Sequence, residues 1–371
     1  MFTGTVGSRV RERLATLGMT QVAAATAAGI KEDAFSNSLN DKRQFKLAEL
    51  ALLAEMLNTS VHWIITGERD PYEVKLSARH GWNASTRADE PHDWALAAKV
   101  AGDVSLLYSQ AAITSHDAPP LPAPVAPVEA ARDARGRLEF SGNPEHSSFA
   151  DDLPSSIEKA FGIDVFVIEG EQRFNAYSAE ANGVKFVVAH TTGAWYRANW
   201  NIAHELGHIV HGDLAYSDEE RQVRADEAWA NAFAAELLAP ETVLRGFNWD
   251  TGTHQELASL LIHLGVSTEV MRIRLNSLGI GVSRSLYEEL QRSTMQVCRR
   301  ELSDSGIDVA RARYTRPRFP QRVLDAHWTA VRESRVDGRA LAWMLNIPVE
   351  DVNPAWDEGH SLNGSALANL L

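Results

Sequence analysis

His204-Glu205-Leu206-Gly207-His208 is the stretch on which the reading of this chain turns. It lies in an apolar-periodic segment from about Tyr196 to His211, which predicts a helix. On a helix, positions i and i+4 share one face, so both imidazoles can reach one zinc ion. Glu205 then stands where a general base can take a proton from an attacking water. The pattern predicts zinc hydrolase chemistry of the peptidase kind. A catalytic zinc site needs a third protein ligand. An extended motif would need glycine at position 211 and histidine at position 214, and the chain has His211 and Leu214 there. The next predicted helix, about Asp218 to Leu238, carries the acids Asp226 and Glu227, and Glu227 can point back at the first helix. Two histidines and a glutamate form a known zinc ligand set. His211, one turn beyond His208, is an alternative ligand. Tyr177, Tyr196, Arg197 and Tyr216 are candidates for oxyanion stabilisation, and nothing in their spacing selects one.

Around this segment the pattern is α+β. A helix is expected near Ser147 to Phe161 and a strand at Ile163 to Ile168. Phe174 to Tyr177 and Val184 to Ala189 read as further strands, with Asn182-Gly183 as a hairpin signal. A small sheet thus precedes two helices. Beyond it the chain reads as mostly helical, at about 254 to 263, 268 to 278, 320 to 332 and 338 to 345. The basic run Arg311 to Arg318 reads as a solvated loop or a contact for DNA or an acidic partner. The terminal Ser361 to Leu371 is expected to be poorly ordered.

The N-terminal stretch, about Gly7 to Thr66, reads as five short helices. Thr20 is an N-cap candidate, and Gly29 suits a turn between two helices. Prolines 119, 120, 122 and 124, with Pro127 just beyond, favour a stiff linker and mark the main boundary. The expected division is 1–70, an all-α unit; 71–146, a helical connector and Pro-rich linker; 147–280, the α+β domain with its small sheet; and 281–371, a helical C-terminal region. The fold class is therefore multidomain, mainly α with α+β.

Composition narrows the function classes. The chain has 371 residues, enough for two or three domains. No apolar run is long enough to span a bilayer, so no membrane partner is expected. A single cysteine, Cys298, rules out an internal disulfide, and with no signal-like start this points to the cytoplasm. A net charge of −13 argues against a protein that coats nucleic acid. It leaves room for a small DNA-reading module, since local charge decides that.

Two resemblances sharpen the reading. His204 to His208, together with Asn231-Ala232-Phe233-Ala234-Ala235-Glu236-Leu237-Leu238-Ala239-Pro240, resembles the ImmA/IrrE family of bacterial metallopeptidases over about residues 147 to 280. The resemblance implies a zincin-like fold, Zn2+ on His204, His208 and Glu227, and Glu205 as general base. Asp226 is the second choice for the third ligand. Many members have a second acid where this chain has Trp229. Residues 6 to 68 resemble the XRE-type helix-turn-helix of lambda-repressor-like proteins, through Met19-Thr20-Gln21 and Ala28-Gly29-Ile30. This implies a recognition helix at Lys31 to Leu39 in the major groove of a double-stranded operator. Gln21, Lys31, Ser36, Asn37, Lys42 and Arg43 are its candidate DNA-binding residues, with Arg9 and Lys46 as further phosphate contacts. Asn37 can read adenine. Glu32 and Asp33 depart from the pattern by repelling phosphate, and Asn40-Asp41 replaces an Asn-Gly type turn. Such modules bind palindromes as homodimers.

Together these readings imply a DNA-binding transcriptional regulator with a zinc endopeptidase domain that cleaves a repressor or antitoxin-like protein. The alternative is a non-proteolytic transcription factor whose zincin-like domain senses a ligand or binds a partner.

Overall fold

The computed structural model describes residues 4–57, 59–67, 74–76, 81–83, 88–90, 94–115, 121, 123, 126–141, 147–169, 176–214, 220–302 and 304–352. The chain divides into two compact units, Met1–Glu73 and Val74–Leu371.

The first unit holds α1 (Val6–Thr16), α2 (Gln21–Ala27), α3 (Glu32–Leu39), α4 (Leu47–Met56) and α5 (Val61–Thr66). Thr5, Thr20 and Ser60 start α1, α2 and α5 by accepting hydrogen bonds from the amides of Ser8, Ala23 and Trp63. Val10, Leu14, Phe35, Leu39, Leu53, Leu57 and Ile64 form the core. Three arginines of α1 each tie it to the C-terminal end of another helix. Arg9 donates to Ile64 O at 2.9 Å, Arg11 to Leu39 O at 2.9 Å and Arg13 to Leu57 O at 2.9 Å. A cation at a helix C-terminus is worth about 0.3–1 kcal/mol, and burial of one large apolar side chain about 1.5–3 kcal/mol. The apolar core therefore drives collapse, and the arginines set how the helices meet. Asp41, at φ 59, accepts from Thr5 Oγ1 at 2.6 Å and from the Gly7 amide at 3.4 Å, which steadies the start of α1.

The second unit begins with β1 (Val74–Leu76), β2 (Gly81–Asn83), β3 (Ala88–Glu90), α6 (Trp94–Gln110) and α7 (Pro127–Ser141). A 3₁₀ turn, Phe149–Asp152, leads into α8 (Leu153–Phe161), then β4 (Asp164–Ile168), β5 (Ala176–Ala181) and β6 (Val184–His190). Next come α9 (Trp195–His211), α10 (Glu220–Leu238), α11 (Glu241–Gly246), α12 (His254–Leu264) and α13 (Thr268–Ser277). The remainder is α14 (Arg284–Leu290), α15 (Thr294–Glu301), α16 (Asp304–Ala312), α17 (Gln321–Arg332) and α18 (Arg339–Leu345). The chain is thus mostly helical around a small sheet. Its strand order is β1-β5-β6-β4, with β4 parallel to β6 and the other pairs antiparallel; β2 and β3 pair separately. Asn182 and Gly183, at φ 52 and 75, make the tight turn between β5 and β6.

Helices cover both faces of the sheet. Val165, Val167, Ala176, Val187 and Ala189 join the core built by α7, α8, α9, α10 and α12. Phe166, Tyr177, Ala179, Phe186 and Val188 point the other way, into a core with Tyr108 of α6, Val323 of α17 and Leu341 of α18. A strand buried on both sides reads as an unbroken apolar run, as β4 does. Asp164, fully buried at its start, binds Tyr108 Oη at 2.6 Å and the Arg322 guanidinium at 2.6 and 2.7 Å, tying α6 and α17 to the sheet.

This arrangement differs from the sequence expectation in three places. The chain divides near residue 73, before the Pro-rich stretch, because α6 closes one face of the sheet. Pro119, Pro120, Pro122 and Pro124 lie outside the described residues. Pro127 opens α7 as its first helical residue, where proline lacks only an amide that would be unpaired anyway. Residues 281–352 belong to the same compact unit as the sheet. Within the basic run 311–318, Arg313, Tyr314 and Arg318 are built into the fold, while 312 and 315–317 are exposed. Arg318 pairs with Glu158 at 2.6 and 2.7 Å, and its backbone exchanges two hydrogen bonds with Val167. Tyr314 Oη donates to Asn199 Oδ1 at 2.6 Å, and Arg313 donates to the Asp151 carbonyl. Those partners lie far away in sequence, so local charge alone does not reveal them. The terminal 361–371 lies outside the described residues.

Asn199 is a junction inside α9. Its Nδ2 donates to Ala150 O at 3.0 Å, and it packs against Gly265, the residue that ends α12 at φ 64. A Cβ on Gly265 would stand 2.3 Å from Asn199 Nδ2, so both the backbone angle and the close approach require glycine. Among the described residues, no helix is long and apolar enough to cross a membrane.

Candidate metal centre

The site begins with a glycine. Gly207 lies on the face of α9 that meets α10, and a Cβ there would stand 3.1 Å from Ala230 Cα and 3.3 Å from Ala230 Cβ. The missing side chain lets the two helices cross closely. Glu227 sits one turn before Ala230, on the same face of α10, and so reaches the histidines. Below the crossing, Leu206, Phe233, Leu237 and Leu238 are fully buried.

Three side chains converge above it. His204 Nε2 and His208 Nε2 are 3.1 Å apart. Glu227 Oε2 lies 3.2 Å from His204 Nε2, and Oε1 lies 3.3 Å from His208 Nε2. Two imidazole nitrogens and a carboxylate oxygen around a tetrahedral zinc stand about 3.3 Å apart. The three side chains are thus close enough to share one such ion. His208 Nδ1 lies 2.9 Å from Asp213 Oδ2. A carboxylate only accepts, so Nδ1 carries the proton and Nε2 is left to ligate.

Electrostatics agree with a site made for a cation. Burial, the largest influence on His208, disfavours its charged form, but hydrogen bonds with Asp213 and Glu227 outweigh it and raise its pKa to about 10. Burial likewise pushes the Glu227 carboxyl up, and its hydrogen bonds to both histidines reverse this and hold it well below the usual carboxylate range. Without an ion, a proton takes the place of positive charge at this site.

Glu205 is nearly buried, at 8% exposure, and its Oε2 accepts a hydrogen bond from Ser178 Oγ at 2.7 Å. Asp226, the second choice for the third ligand, is not among the triangle's atoms. Its Oδ1 takes Gln222 Nε2 at 2.6 Å and His211 Nε2 at 3.2 Å. His211, Asp213 and Asp226 do form a second His/Asp cluster. In that cluster Asp226 Oδ1 is shared between Gln222 and His211, and Asp213 is engaged with His208. The His211 ring stacks on Trp229, with centroids 4.6 Å apart, and Trp229 stacks on Phe233. The aromatic residue in place of an acid thus packs the far side of His211.

The other candidates fall as follows. Tyr177 belongs to the opposite face of the sheet from α9. Tyr196 packs edge-on against Trp195 in the first turn of α9, Arg197 is exposed, and Tyr216 lies outside the described residues. In the first unit, Gln21, Lys31, Ser36, Asn37 and Lys42 are all exposed, on or beside α2 and α3, as is Lys46. Arg43 is held by Glu49 at 2.6 and 2.9 Å and by Ser38 Oγ at 2.8 Å. Arg9 is 6% exposed and occupied with α5, so its expected role as a phosphate contact is withdrawn. Sequence reasoning missed Asp213 and Ser178. Asp213 had a signal, an acid just past the glycine that ends the motif helix; Ser178 had none.

Residues 158–276 match the family model of the IrrE N-terminal-like domain, peptidase family M78. That span runs from within α8 to the last turn of α13 and includes the whole triangle. No curated protein matches the chain.

Zinc and the His208 proton compete for the same site. A pKa raised above the ordinary 6.5 stabilises the ion-free fold most below pH 6.5, and this contribution is lost as pH rises through about 10. Zinc affinity runs the opposite way. It should rise roughly tenfold per pH unit between pH 7 and 9 as one proton is displaced. Competition with a chelator of known affinity across that range measures the slope, and a flat profile would show that no proton leaves the site.

Proposed function

We propose that the chain is a DNA-binding regulator whose second unit is a zinc-dependent endopeptidase. The observation that carries this reading is the triangle of His204, His208 and Glu227 with Glu205 one residue along the same helix. A bound zinc supplies Lewis acidity, polarising a peptide carbonyl and acidifying the attacking water. Glu205 takes the proton of that water as its oxygen bonds to the carbonyl carbon. It then delivers the proton to the leaving nitrogen as the C–N bond breaks. Its near burial keeps bulk water from competing for that proton. The substrate we favour is a repressor or antitoxin-like protein cut at one position. The joining of a unit that carries the peptidase-family match to a five-helix unit supports this choice.

The DNA-reading role rests on the polar surface of α3 and its surroundings. Ser36 and Asn37 are exposed on α3, with Lys31 and Lys42 at its two ends. Base edges would meet Asn37, and phosphates the lysines. Glu32 and Asp33 lie in the first turn of α3, where the helix dipole favours them, so their presence has a structural reason. We infer homodimers on a two-fold operator, acting in the cytoplasm.

Newly formed protein N-termini in host cells carrying wild type or Glu205→Gln test the proteolytic reading. We expect at least one terminus made only by wild type and reproduced with purified zinc-loaded protein. Identical sets would leave the regulator that works without turnover. For DNA, selection of bound sequences from a random pool should yield a two-fold site. Asn37→Ala should cost about 1–3 kcal/mol of discrimination at one base pair, whereas salt-sensitive binding without a preferred sequence would contradict the assignment.

A further inference from the structure

Ser178 lies in the middle of β5, and the metal triangle does not need it. Strand alternation puts Ala176, Ser178 and Glu180 on the face of the sheet toward α9, and Tyr177, Ala179 and Ala181 on the other. The serine is fully buried. A buried hydroxyl needs a partner, and here the partner is the carboxylate of Glu205, 2.7 Å away. Because the carboxylate only accepts, the hydroxyl donates.

This bond ties the base to a rigid frame. A glutamate side chain has several rotatable bonds and loses much freedom when it is fixed. α9 places the Glu205 backbone, but not its carboxylate. β5 places the carboxylate, since Ser178 is in register with Val187 of β6, in the middle of a ladder that runs from Ala176 to Ala181. With Oε2 held by the strand, Oε1 is the oxygen left to take a proton.

We propose that Ser178 is a positioning residue that orients Glu205 for proton transfer, so that the sheet sets where the general base of α9 points. The inference rests on the metallohydrolase reading given above. It differs from mere satisfaction of a buried group in one respect: the effect of Ser178 on a ligand at the metal must pass through Glu205.

A double-mutant cycle on the full-length, zinc-loaded protein separates the two. Acetohydroxamic acid is the probe, since it chelates zinc through two oxygens and its hydroxyl needs an adjacent base. Its affinity is measured by calorimetry for wild type, Ser178→Ala, Glu205→Gln and the double variant, with zinc content determined for each. Ser178→Ala should weaken binding about 10- to 100-fold, the range seen when groups that orient a metal site are lost. The double variant should bind no worse than Glu205→Gln alone. Ser178→Thr, which keeps the donor, should bind like wild type. Ser178→Cys, similar in size but a weak donor, should bind like Ser178→Ala and serves if the alanine variant does not fold. Unchanged affinity in Ser178→Ala or Ser178→Cys, or losses that simply add, would overturn the assignment of Ser178 alone. A zinc-loaded wild type that does not bind the probe would overturn the metallohydrolase reading along with it.

Discussion

The close crossing of α9 and α10 at Gly207 and Ala230 is the constraint on which the site depends. Candidate ligand atoms 3.1–3.3 Å apart leave little tolerance, and two of the three side chains sit on one helix while the third sits on the other. A glycine inside a helix costs about 0.5–1 kcal/mol relative to alanine. The chain accepts that cost where a Cβ would stand 3.1 Å from the neighbouring backbone. The buried Phe233, Leu237 and Leu238 then fasten α10 beneath the triangle. Glu236, also buried, binds Arg132 of α7 at 2.9 Å and Arg274 of α13, so the far end of α10 is fixed from two sides.

A second constraint comes from the sheet. It presents one face to α9 and the other to helices drawn from both ends of the second unit, α6 before it and α17 and α18 after it. The salt bridge of Asp164 with Arg322 ties α17 to the sheet, and that of Glu158 with Arg318 ties the segment before α17 to α8. Both pairs are partly shielded from water and link segments about 160 residues apart, so they help fix where the C-terminal segment docks. The family match ends at residue 276, yet the sheet it contains is covered by residues well outside it.

What was legible in the sequence follows the range of the interactions. The motif helix, the turn at Asn182-Gly183 and the helix N-cap at Thr20 depend on neighbours within a few residues, and the cap binds an amide three residues on. The triangle was legible because i,i+4 spacing and a following acidic helix are local patterns. Ser178 was not, since the contact spans 27 residues and depends on strand register. The basic run 311–318 misled for the same reason: Glu158 is 160 residues from Arg318. α7 is hidden by its opening proline, because proline breaks a helix from within but is tolerated at its first position. Arg9, expected at a phosphate, instead ends at the carbonyl of Ile64, 55 residues away.

The central claim is that His204, His208 and Glu227 hold one metal ion. X-ray absorption at the zinc edge, with metal content per chain, tests it most directly on full-length protein loaded with zinc and dialysed. We expect one zinc per chain, bound by two imidazoles and oxygen ligands at about 2.0–2.1 Å with no sulfur. No retained zinc, or a shell containing the sulfur of Cys298, would contradict it.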